Sequence, residues 1–435
     1  MSILDTLIAE FKGLCSRFTD LRQPSPNLQY SIQDIVLAAF SVFFIQSPSF
    51  LDSQKQLERK YGLSNAQTLF GLDKIPTDNH IRKVLDKTPS STLVPMFQNL
   101  FERLRDSDVF QKFTVLNDRI LIALDGTQHH SSTDISCPSC NSKTAKNGVT
   151  TYYHSFIGAS LCAPGNNTVL SLPPEFITPQ DGHDKQDCEN AAAKRWLSQY
   201  GAYYAAEKAV ILGDDLYASQ PLCEAVLEQN LDFILVCKET SHKVLYDFIS
   251  NAEMETVSIR EKSGPDRGRI TRLRFINKVP LNGNSDPLLV NWVGIEVTDR
   301  NGKKGYTGAF VTSIKITADT VASIAEAGRA RWKVENETFN TLKNKGYHLE
   351  HNFGHGKENL CNLFATMNLL ACNFHTMAEL LDEKYKTIQE KLRRRVGFFE
   401  EIRTLTKYVL FNSWDALFDE ILDSFKPRDS TRQKP

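Results

Sequence analysis

The sequence has no apolar run long enough to cross a lipid bilayer. Its most apolar stretch extends from Ile35 to Ile45, whereas a membrane-spanning helix needs about 20 such residues. The first residues, Met1 to Asp20, include acidic side chains and lack the apolar centre of a secretory signal peptide. We therefore expect a soluble protein of the cell interior.

The sequence also lacks an excess of either charge. It has 51 Lys and Arg against 52 Asp and Glu, which gives a formal net charge of −1. Such a chain is not a basic polyelectrolyte, so a nucleic-acid partner would have to be held by local basic patches. The hydrophobic content of 41% is ordinary for a globular protein, and 435 residues suggest roughly two to three domains.

Cysteines are scarce and odd in number. Nine of them are spread along the chain, which argues against a disulfide framework and favours a reducing compartment. Cys137-Pro-Ser-Cys140 has the spacing of half a zinc site, so Cys137 and Cys140 are candidate zinc ligands; the alternative is a free pair in a loop. The residues considered as completing ligands, none at a convincing spacing, are His129, His130, His154, His183 and Cys188.

Hydrophobic periodicity divides the chain into five segments that together predict an α/β fold. Short apolar runs separated by amphipathic stretches indicate a mixed sheet with flanking helices, and a β-rich part interrupts it before the last helices. The segments are 1–112, a helical N-terminal region; 113–240, the first part of the α/β core; 241–318, a β-rich insertion; 319–382, the last core helices; and 383–435, a helical extension with a polar tail.

Three details of these segments can be compared with a structure. Ser31 should cap a buried helix that contains the apolar run from Ile35 to Ile45. The long helix from Asn359 to Leu381 should pack against the sheet. The tail from Pro427 to Pro435 should be disordered. The N-terminal region could be a DNA-end-binding module or a simple helical cap, and we favour a supporting role with some DNA contact.

The insertion carries a basic strand. From Arg260 to Lys278 there are seven Lys and Arg against two Asp and Glu, a local net charge of +5. Arg272 and Arg274 alternate with apolar residues, so they share one face of the strand. Such a face suits a phosphate backbone; the alternative is an ordinary solvated outer surface.

Two acidic residues follow short apolar runs in the same way. The run from Ile120 to Leu124 leads into Asp125 and Gly126, where we expect a buried strand to end in a turn. A second run ends two residues before Asp214. A carboxylate at a strand end is held rigidly and can bind a metal ion or transfer a proton. Asp215 is the alternative to Asp214, because successive side chains leave a strand on opposite faces.

A third acidic residue lies in a helical stretch, from Arg329 to Lys343. On a regular helix, Trp332, Glu335 and Phe339 fall on one core-facing stripe. A glutamate in such a stripe needs a partner or a task, which makes Glu335 a candidate. Glu337 is the alternative, although it lies about 200° away around the helix.

Two basic residues lie near Glu335 on the same predicted helix. Arg331 is four residues before Glu335 and shares its face, whereas Lys343 lies about 80° round from it. Both could contact phosphate groups. The alternative is a surface ion pair, which contributes little to stability.

Three carboxylates from two strand ends and one helix can hold two divalent cations. Mg²⁺ binds few protein carboxylates and completes its shell with water and phosphate oxygens. Two such ions, about 3.5–4 Å apart, can activate water or a 3′-hydroxyl and stabilise the leaving oxygen of an in-line displacement.

The motifs around Asp125, Asp214, Arg331 and Glu335 resemble those of the DDE transposases of bacterial insertion sequences. Leu-Asp-Gly-Thr, Leu-Gly-Asp-Asp-Leu-Tyr and Arg-Trp-Lys-Val-Glu carry the likeness, together with Lys343. They are similar to the branch that has a Tyr-Arg-Glu-Lys signature and a β-rich insertion before its Glu helix. The likeness covers roughly residues 115–380.

This resemblance implies a ribonuclease H-like core with Asp125, Asp214 and Glu335 as the catalytic, metal-binding triad. It implies two Mg²⁺ or Mn²⁺ ions, and DNA contacts by Arg331 and Lys343. The expected partners are transposon terminal inverted repeats, target DNA and a second copy of the chain, in the bacterial cytoplasm at the nucleoid. The expected reaction is cleavage at the repeats followed by joining of the 3′-hydroxyl to target DNA.

Two other functions are compatible with the sequence. One is a domesticated ribonuclease H-like nuclease, and the other is a non-catalytic, zinc-stabilised DNA-binding protein. The loop that contains His348, His351 and His355 follows the predicted Glu helix. It could touch DNA, or it could be a polar connection between helices.

Overall fold

The computed structural model describes residues 2–59, 61–182, 185–264 and 267–426, apart from the side chains of residues 185–187. The candidate ligand His183 lies outside these residues. So does the tail from Pro427 to Pro435, for which the sequence predicts disorder. Within the described ranges, no helix combines the length and the apolar composition that a membrane crossing requires.

The chain forms two compact units. Unit 1 comprises Met1–Val109, Gln128–His154 and Asn340–Pro435, and unit 2 comprises Phe110–Thr127 and Ser155–Phe339. Both units are therefore discontinuous in sequence. The division into five consecutive segments stays a prediction.

Helices make up most of unit 1. Other helices, within unit 2, flank the sheet of that unit. The helices are α1 Ile3–Cys15, α2 Ile32–Phe44, α3 Phe50–Leu57, α4 Gly62–Phe70, α5 Asp78–Leu85, α6 Val94–Arg105, α7 Lys185–Trp196, α8 Ala202–Tyr204, α9 Gln220–Glu228, α10 Lys243–Ser250, α11 Val321–Arg329, α12 Asn340–Asn344, α13 Leu360–Leu381, α14 Glu383–Leu392, α15 Arg395–Tyr408 and α16 Trp414–Ser424. Short 3-10 turns occur at Ser90–Leu93, Asp108–Phe113, Pro179–Asp181, Ala205–Glu207, Asp215–Tyr217 and Ala330–Trp332, and π-helical turns at Leu197–Gly201 and Val334–Phe339.

The strands are β1 Thr114–Val115, β2 Arg119–Ser132, β3 Asn141–Thr144, β4 Thr150–Ala163, β5 Asn166–Ser171, β6 Glu175–Ile177, β7 Val210–Gly213, β8 Asp232–Val236, β9 Glu255–Arg260, β10 Ile270–Pro280, β11 Leu289–Thr298 and β12 Lys304–Thr312.

The core of unit 1 forms around α2 and α13. The side chain of Ser31 accepts a hydrogen bond from the Asp34 N–H at 2.9 Å, which confirms the predicted N-cap. Each residue of α2 from Asp34 to Phe44 is buried, as its nearly all-round apolar sequence predicts. Phe40 packs on Phe374 of α13, with ring centroids 5.0 Å apart.

Helix α13 is buried all round rather than on one face. Its packing partners in unit 1 include helices α1, α2, α6 and α14. Cys361 in its first turn also lies 3.7 Å from His129 of β2, and packing of the whole helix against the sheet stays a prediction. Polar residues of the helix are buried together with the apolar ones, among them Asn368, Asn373 and His375.

The two ends of the described chain join in unit 1. Ser2 Oγ donates a hydrogen bond to Asp382 at 2.6 Å. The Trp414 N–H donates to Asp5 at 2.8 Å, and the Trp414 indole N–H donates to the Leu69 carbonyl at 2.8 Å. Helices from both ends of the sequence thus belong to one core.

Unit 2 is built on a mixed sheet with the strand order β4-β2-β7-β8-β12-β11-β10-β9. Strands β2, β7 and β8 are parallel, and β12 pairs antiparallel with β8 through Phe310 and Val236. The predicted mixed sheet with flanking helices is confirmed. The β-rich insertion extends this sheet and does not form a separate layer. Its strands continue the sheet beyond β8 in the order β12, β11, β10 and β9.

We expect from the sequence that strand β2 ends at Asp125, but in the structure it does not. It continues in extended conformation through Gly126 to Ser132, so the prediction of a turn is wrong. The Asp-Gly pair is typical of turns, but here glycine serves a close approach that is described below. The parallel pairing with β7 is recorded only as far as Ala123, so Asp125 still lies beyond that paired part.

Candidate active site

Asp125 and Asp214 occupy equivalent positions on neighbouring parallel strands. Ala123 of β2 pairs with Leu212 of β7, and each aspartate lies two residues further along its chain. Side chains two residues apart in extended chain point to the same face, and Asp214 is extended with φ −78° and ψ −177°. The two carboxylates are therefore directed to one region at the strand ends.

The two adjacent aspartates, Asp214 and Asp215, have different surroundings. Asp214 caps the following turn by accepting the Leu216 N–H at 2.9 Å. Asp215 accepts the Lys238 N–H and the Ser241 hydroxyl, both at 2.6 Å. Asp215 is thus engaged with the segment that follows β8, which favours Asp214 as the site residue.

Glu335 and Asp125 meet around one arginine. Arg331 Nη1 is 2.7 Å from Glu335 Oε1 and 3.8 Å from Asp125 Oδ2. Asp125 is buried, whereas about half of the Glu335 side chain is exposed. The i, i+4 spacing of Arg331 and Glu335 had predicted their contact, and the structure adds Asp125 to the same cluster.

The surroundings of Asp125 favour its protonated form. Burial raises its pKa to about 7, and a hydrogen bond to Glu335 and the negative charges of Glu335 and Glu189 act in the same direction, against the opposing effect of Arg331. A carboxyl group with this environment binds a cation readily, because a positive charge relieves both the repulsion and the desolvation.

Glu189 of α7 is a fourth carboxylate near the strand ends. It is buried, and a Cβ atom at position 126 would overlap its carboxylate. The Tyr217 hydroxyl lies 3.5 Å from Glu189 Oε2. Burial, together with the charges of Glu189, Asp125 and Asp214, raises the pKa of Tyr217 well above its ordinary value.

Sequence reasoning did not select Glu189. Glu189 itself has no sequence feature that separates it from a solvated helix residue. The available signal was Gly126, which a strand tolerates poorly unless another group approaches its backbone closely.

The segment that carries Arg331 and Glu335 is not a regular α-helix. It passes from the 3-10 turn Ala330–Trp332 to the π-helical turn Val334–Phe339. The Thr338 hydroxyl is 2.8 Å from that of Ser160 on β4, and Phe339 packs over Gly158, where a Cβ would overlap its ring. The segment is thus anchored on β4 just after Glu335. Single π turns are frequent at functional sites.

This irregularity changes the predicted stripe. Trp332 is exposed instead of core-facing, and Lys333 is buried beside it with Nζ 4.8 Å from the Trp332 ring centroid. Lys333 also donates to Asn167 at 3.2 Å. Rotation by about 100° per residue holds only for a regular α-helix, which is why the stripe fails here and why the argument that separated Glu335 from Glu337 loses force.

The other predicted DNA-binding residues do not all belong to this cluster. Arg272 and Arg274 are exposed on β10, and Leu273 and Phe275 between and after them are buried, which confirms the predicted alternation. Lys343 lies on α12 in unit 1 and pairs with Glu350 at 2.8 Å.

Cys137 and Cys140 lie in unit 1, in the connection between β2 and β3. They form a cluster with His154 of β4 and His355, a set of side chains that could bind a metal ion. His154 is one of the completing ligands that the sequence offered, whereas His355, which lies 215 residues from Cys140 along the chain, is not.

A mixed sheet with flanking helices, and with acidic residues just beyond the paired parts of two neighbouring parallel strands, is consistent with the ribonuclease H-like class of folds. The sequence model of the transposase DDE domain matches residues 119–374. This range is more than half of the chain, so the protein belongs to the DDE transposase family, and the resemblance stated from its motifs is confirmed. Transposases act on DNA, and this family generally uses divalent metal ions. A comparison with curated proteins gave no significant match.

Proposed function

We propose that this protein is an active transposase that cleaves DNA at terminal inverted repeats and joins the 3′-hydroxyl to target DNA. The observation that carries this proposal is the meeting of Asp125 and Glu335 around Arg331, at the strand register that Asp125 shares with Asp214. Binding, positioning and electrostatic stabilisation account for most of the catalysis of phosphoryl transfer.

Asp125, Asp214 and Glu335 are the proposed ligands of two Mg²⁺ or Mn²⁺ ions. Their fit rests on the excess of carboxylates over the single guanidinium of Arg331 and on the raised pKa of Asp125, about 7. When bound, such ions supply an activated water or hydroxyl and stabilise the leaving oxygen. Arg331 would neutralise a phosphate oxygen, and Glu189 would support the site from behind Gly126.

The remaining roles follow from the charge distribution. Arg272 and Arg274 on the exposed face of β10 would contact the DNA backbone, as would Lys343. We also propose that two copies pair two transposon ends and that the reaction takes place in the cytoplasm at the nucleoid. The predicted five-segment organisation, with a supporting N-terminal region, belongs to the same proposal.

Cleavage of DNA that carries the element's own ends is the direct test. The purified protein should cut such DNA in Mg²⁺ or Mn²⁺, whereas Asp125→Asn, Asp214→Asn and Glu335→Gln should bind the DNA without cutting it. Loss of a metal-binding carboxylate should lower the cleavage rate by at least about a hundredfold, as expected when transition-state stabilisation of several kcal/mol is lost.

Glu337→Gln is the matched control for Glu335→Gln, because it removes the same charge two residues away. It should retain cleavage. If Glu337→Gln abolishes cleavage and Glu335→Gln does not, the assignment of the third carboxylate is wrong. If no variant loses activity, a metal site at these strand ends is excluded.

The second candidate is a zinc-stabilised DNA-binding protein without catalytic activity, which the Cys/His cluster of unit 1 favours. It would bind the same DNA and show no metal-dependent cleavage under any of these conditions. A domesticated nuclease would nick DNA without joining it to a target.

A further inference from the structure

Four potential metal ligands converge in unit 1, whereas the residues of the proposed triad belong to unit 2. Cys137 and Cys140 lie in the connection between β2 and β3, His154 on β4, and His355 in the segment that precedes α13. Cys140, His154 and His355 are more than nine-tenths buried, and Cys137 is partly buried. The donor atoms of all four lie within 4.8 Å of one another.

The distances between these donor atoms can be compared with those of a tetrahedral zinc site. The two sulfurs are 3.8 Å apart. The Nε2 atom of His154 is 3.4 Å from Cys137 Sγ and 3.3 Å from Cys140 Sγ, and His355 Nε2 is 3.4 Å from Cys140 Sγ. The two Nε2 atoms are 3.2 Å apart.

A tetrahedral Zn²⁺ requires separations close to these. With Zn–S of about 2.3 Å and Zn–N of about 2.0–2.1 Å, two sulfurs are about 3.8 Å apart, a sulfur and a nitrogen about 3.5–3.6 Å, and two nitrogens about 3.3–3.4 Å. The five distances given above agree within about 0.3 Å, and the sixth, between Cys137 Sγ and His355 Nε2, is at most 4.8 Å. They also exclude a disulfide between Cys137 and Cys140, because bonded sulfurs lie about 2.05 Å apart.

The tautomer of His355 is fixed by the backbone carbonyl of the next residue, Gly356. Its Nδ1 atom is 2.9 Å from the Gly356 carbonyl oxygen, and a carbonyl can only accept, so Nδ1 carries the proton. In the neutral ring, Nε2 then presents a lone pair to the cluster. Metal-binding histidines are commonly oriented in this way by a hydrogen bond from their other ring nitrogen.

Hydrogen bonding alone accounts poorly for this cluster. If His355 Nε2 carries no proton, two thiol protons and one proton on His154 Nε2 would have to serve five close contacts. The Cys137 N–H also donates to Cys140 Sγ at 3.3 Å, an interaction that stabilises a thiolate. Two thiolates and two neutral imidazoles would balance the charge of one divalent ion.

We propose that Cys137, Cys140, His154 and His355 bind one structural Zn²⁺. Two sulfur and two nitrogen ligands in tetrahedral arrangement select zinc among the common divalent ions, and four protein ligands leave no position for a substrate. The site is therefore structural, and it differs in composition and location from the carboxylate cluster that the proposed function assigns to magnesium.

The zinc would hold a segment that lacks regular structure. Residues 345–359 form neither helix nor strand, and His355 lies between Gly354 and Gly356, which have φ of +146° and +69°. Non-glycine residues rarely adopt these angles. The segment follows α12 directly, so a metal-held His355 fixes the chain that continues from the Glu335 segment into α13.

The metal content of the full-length protein tests the proposal without DNA. Protein purified without chelators should contain one zinc per chain by elemental mass spectrometry, and His355→Gln and Cys140→Ser should lose it. His351→Gln is the matched control, since His351 lies in the same segment but is exposed; it should retain the zinc. Cleavage-deficient Asp125→Asn should also retain it, which separates this site from the proposed function.

A second measurement covers the case in which ligand variants fail to fold. Wild-type protein loaded with Co²⁺ in place of zinc should show a thiolate-to-cobalt charge-transfer band and the intense visible bands of a tetrahedral site. Chelation should remove these bands, lower the unfolding temperature and increase proteolysis within residues 345–359. Absence of zinc together with an octahedral cobalt spectrum, or zinc retained by both ligand variants, would overturn the proposal.

Discussion

Ionisation of the Asp125 carboxyl group is expected to lower the free energy of unfolding of the metal-free protein at neutral pH. Burial and Glu335 raise its pKa to about 7, above its value of about 3.9 in an unfolded chain. Because the pKa of Asp125 is higher in the folded than in the unfolded state, the loss of stability begins as the pH rises above about 4 and is complete above about 7. We expect Asp125→Asn to raise the free energy of unfolding by about 1–3 kcal/mol at about pH 8, and by less toward about pH 5.

Urea unfolding without added divalent ions at several pH values measures this difference. Asp106→Asn is a suitable control, because Asp106 is exposed and its side chain pairs with Arg105. It should produce no gain in stability. A pH-independent loss of stability in Asp125→Asn would contradict the argument.

Gly126 is expected to be required for the position of Glu189. A Cβ at position 126 would overlap the Glu189 carboxylate, so Gly126→Ala should displace it, cost about 1–3 kcal/mol of stability and weaken Mn²⁺ binding. Gly13→Ala is the control, since nothing lies within 4 Å of its added Cβ and α1 should gain up to about 1 kcal/mol. Urea unfolding and Mn²⁺ titration of both variants decide whether the close contact matters.

Sequence reasoning at the residue level succeeded where a pattern carried a geometric rule. The i, i+4 spacing gave the Arg331–Glu335 contact, and the strand alternation gave the common face of Arg272 and Arg274. It missed Glu189 because burial depends on tertiary contacts that no local pattern records.

At the level of single elements, α13 depends on a carboxylate that is distant in sequence. Asp86 accepts hydrogen bonds from the backbone N–H groups of Lys357, Glu358, Asn359 and Leu360. Burial alone would raise its pKa, but these four donors outweigh it and lower the pKa. The carboxylate therefore acts as a cap for the long helix, in the same way as a local N-cap residue.

Asp86→Asn should lower the free energy of unfolding by about 1–2 kcal/mol near neutral pH. Because the folded pKa lies below the unfolded one, this contribution is present above about pH 4 and is lost as the pH falls through the folded pKa. Urea unfolding at about pH 7 and at about pH 2.5, below the lowered folded pKa, would measure the change, with the exposed Glu358→Gln as control. If Asp86→Asn lowers the free energy of unfolding no more than Glu358→Gln does, the contacts of Asp86 with the backbone contribute nothing to stability.

The Glu335 segment is the element that the sequence predicted least well. Nothing in its composition distinguishes 3-10 and π turns from an α-helix, since the choice is made by the anchoring of Thr338 and Phe339 on β4. Strand β2 was likewise predicted too short, because Asp-Gly favours a turn only where no neighbouring group requires glycine in an extended chain.

For the molecule as a whole, DNA binding must arise from charge distribution, since the net charge is only −1. We expect Arg272→Ala combined with Arg274→Ala to weaken DNA binding for all sequences alike and to reduce the slope of log affinity against log salt by about 1–2. Arg17→Ala combined with Lys112→Ala is the control, because it removes the same charge from exposed positions elsewhere. Titrations at several salt concentrations compare the two, and equal slopes would exclude the β10 face.

The fold class was predictable because short apolar runs and amphipathic stretches alternate over 113–240. The attachment of β9 to β12 to the same sheet was not, because strand order depends on pairing between distant segments. For the same reason the partners of Cys137 and Cys140 emerged only in three dimensions.

The packing of α2 against α13 has a consequence for the order of events on the ribosome. Phe40 is made early, and its neighbour Phe374 is added more than 300 residues later. During that interval a helix that is apolar nearly all round lacks the part of its native cover that α13 supplies, so the nascent chain exposes an aggregation-prone surface. Chains that stop before α13 should therefore depend on chaperones or be degraded, so that little incomplete protein accumulates in the cell.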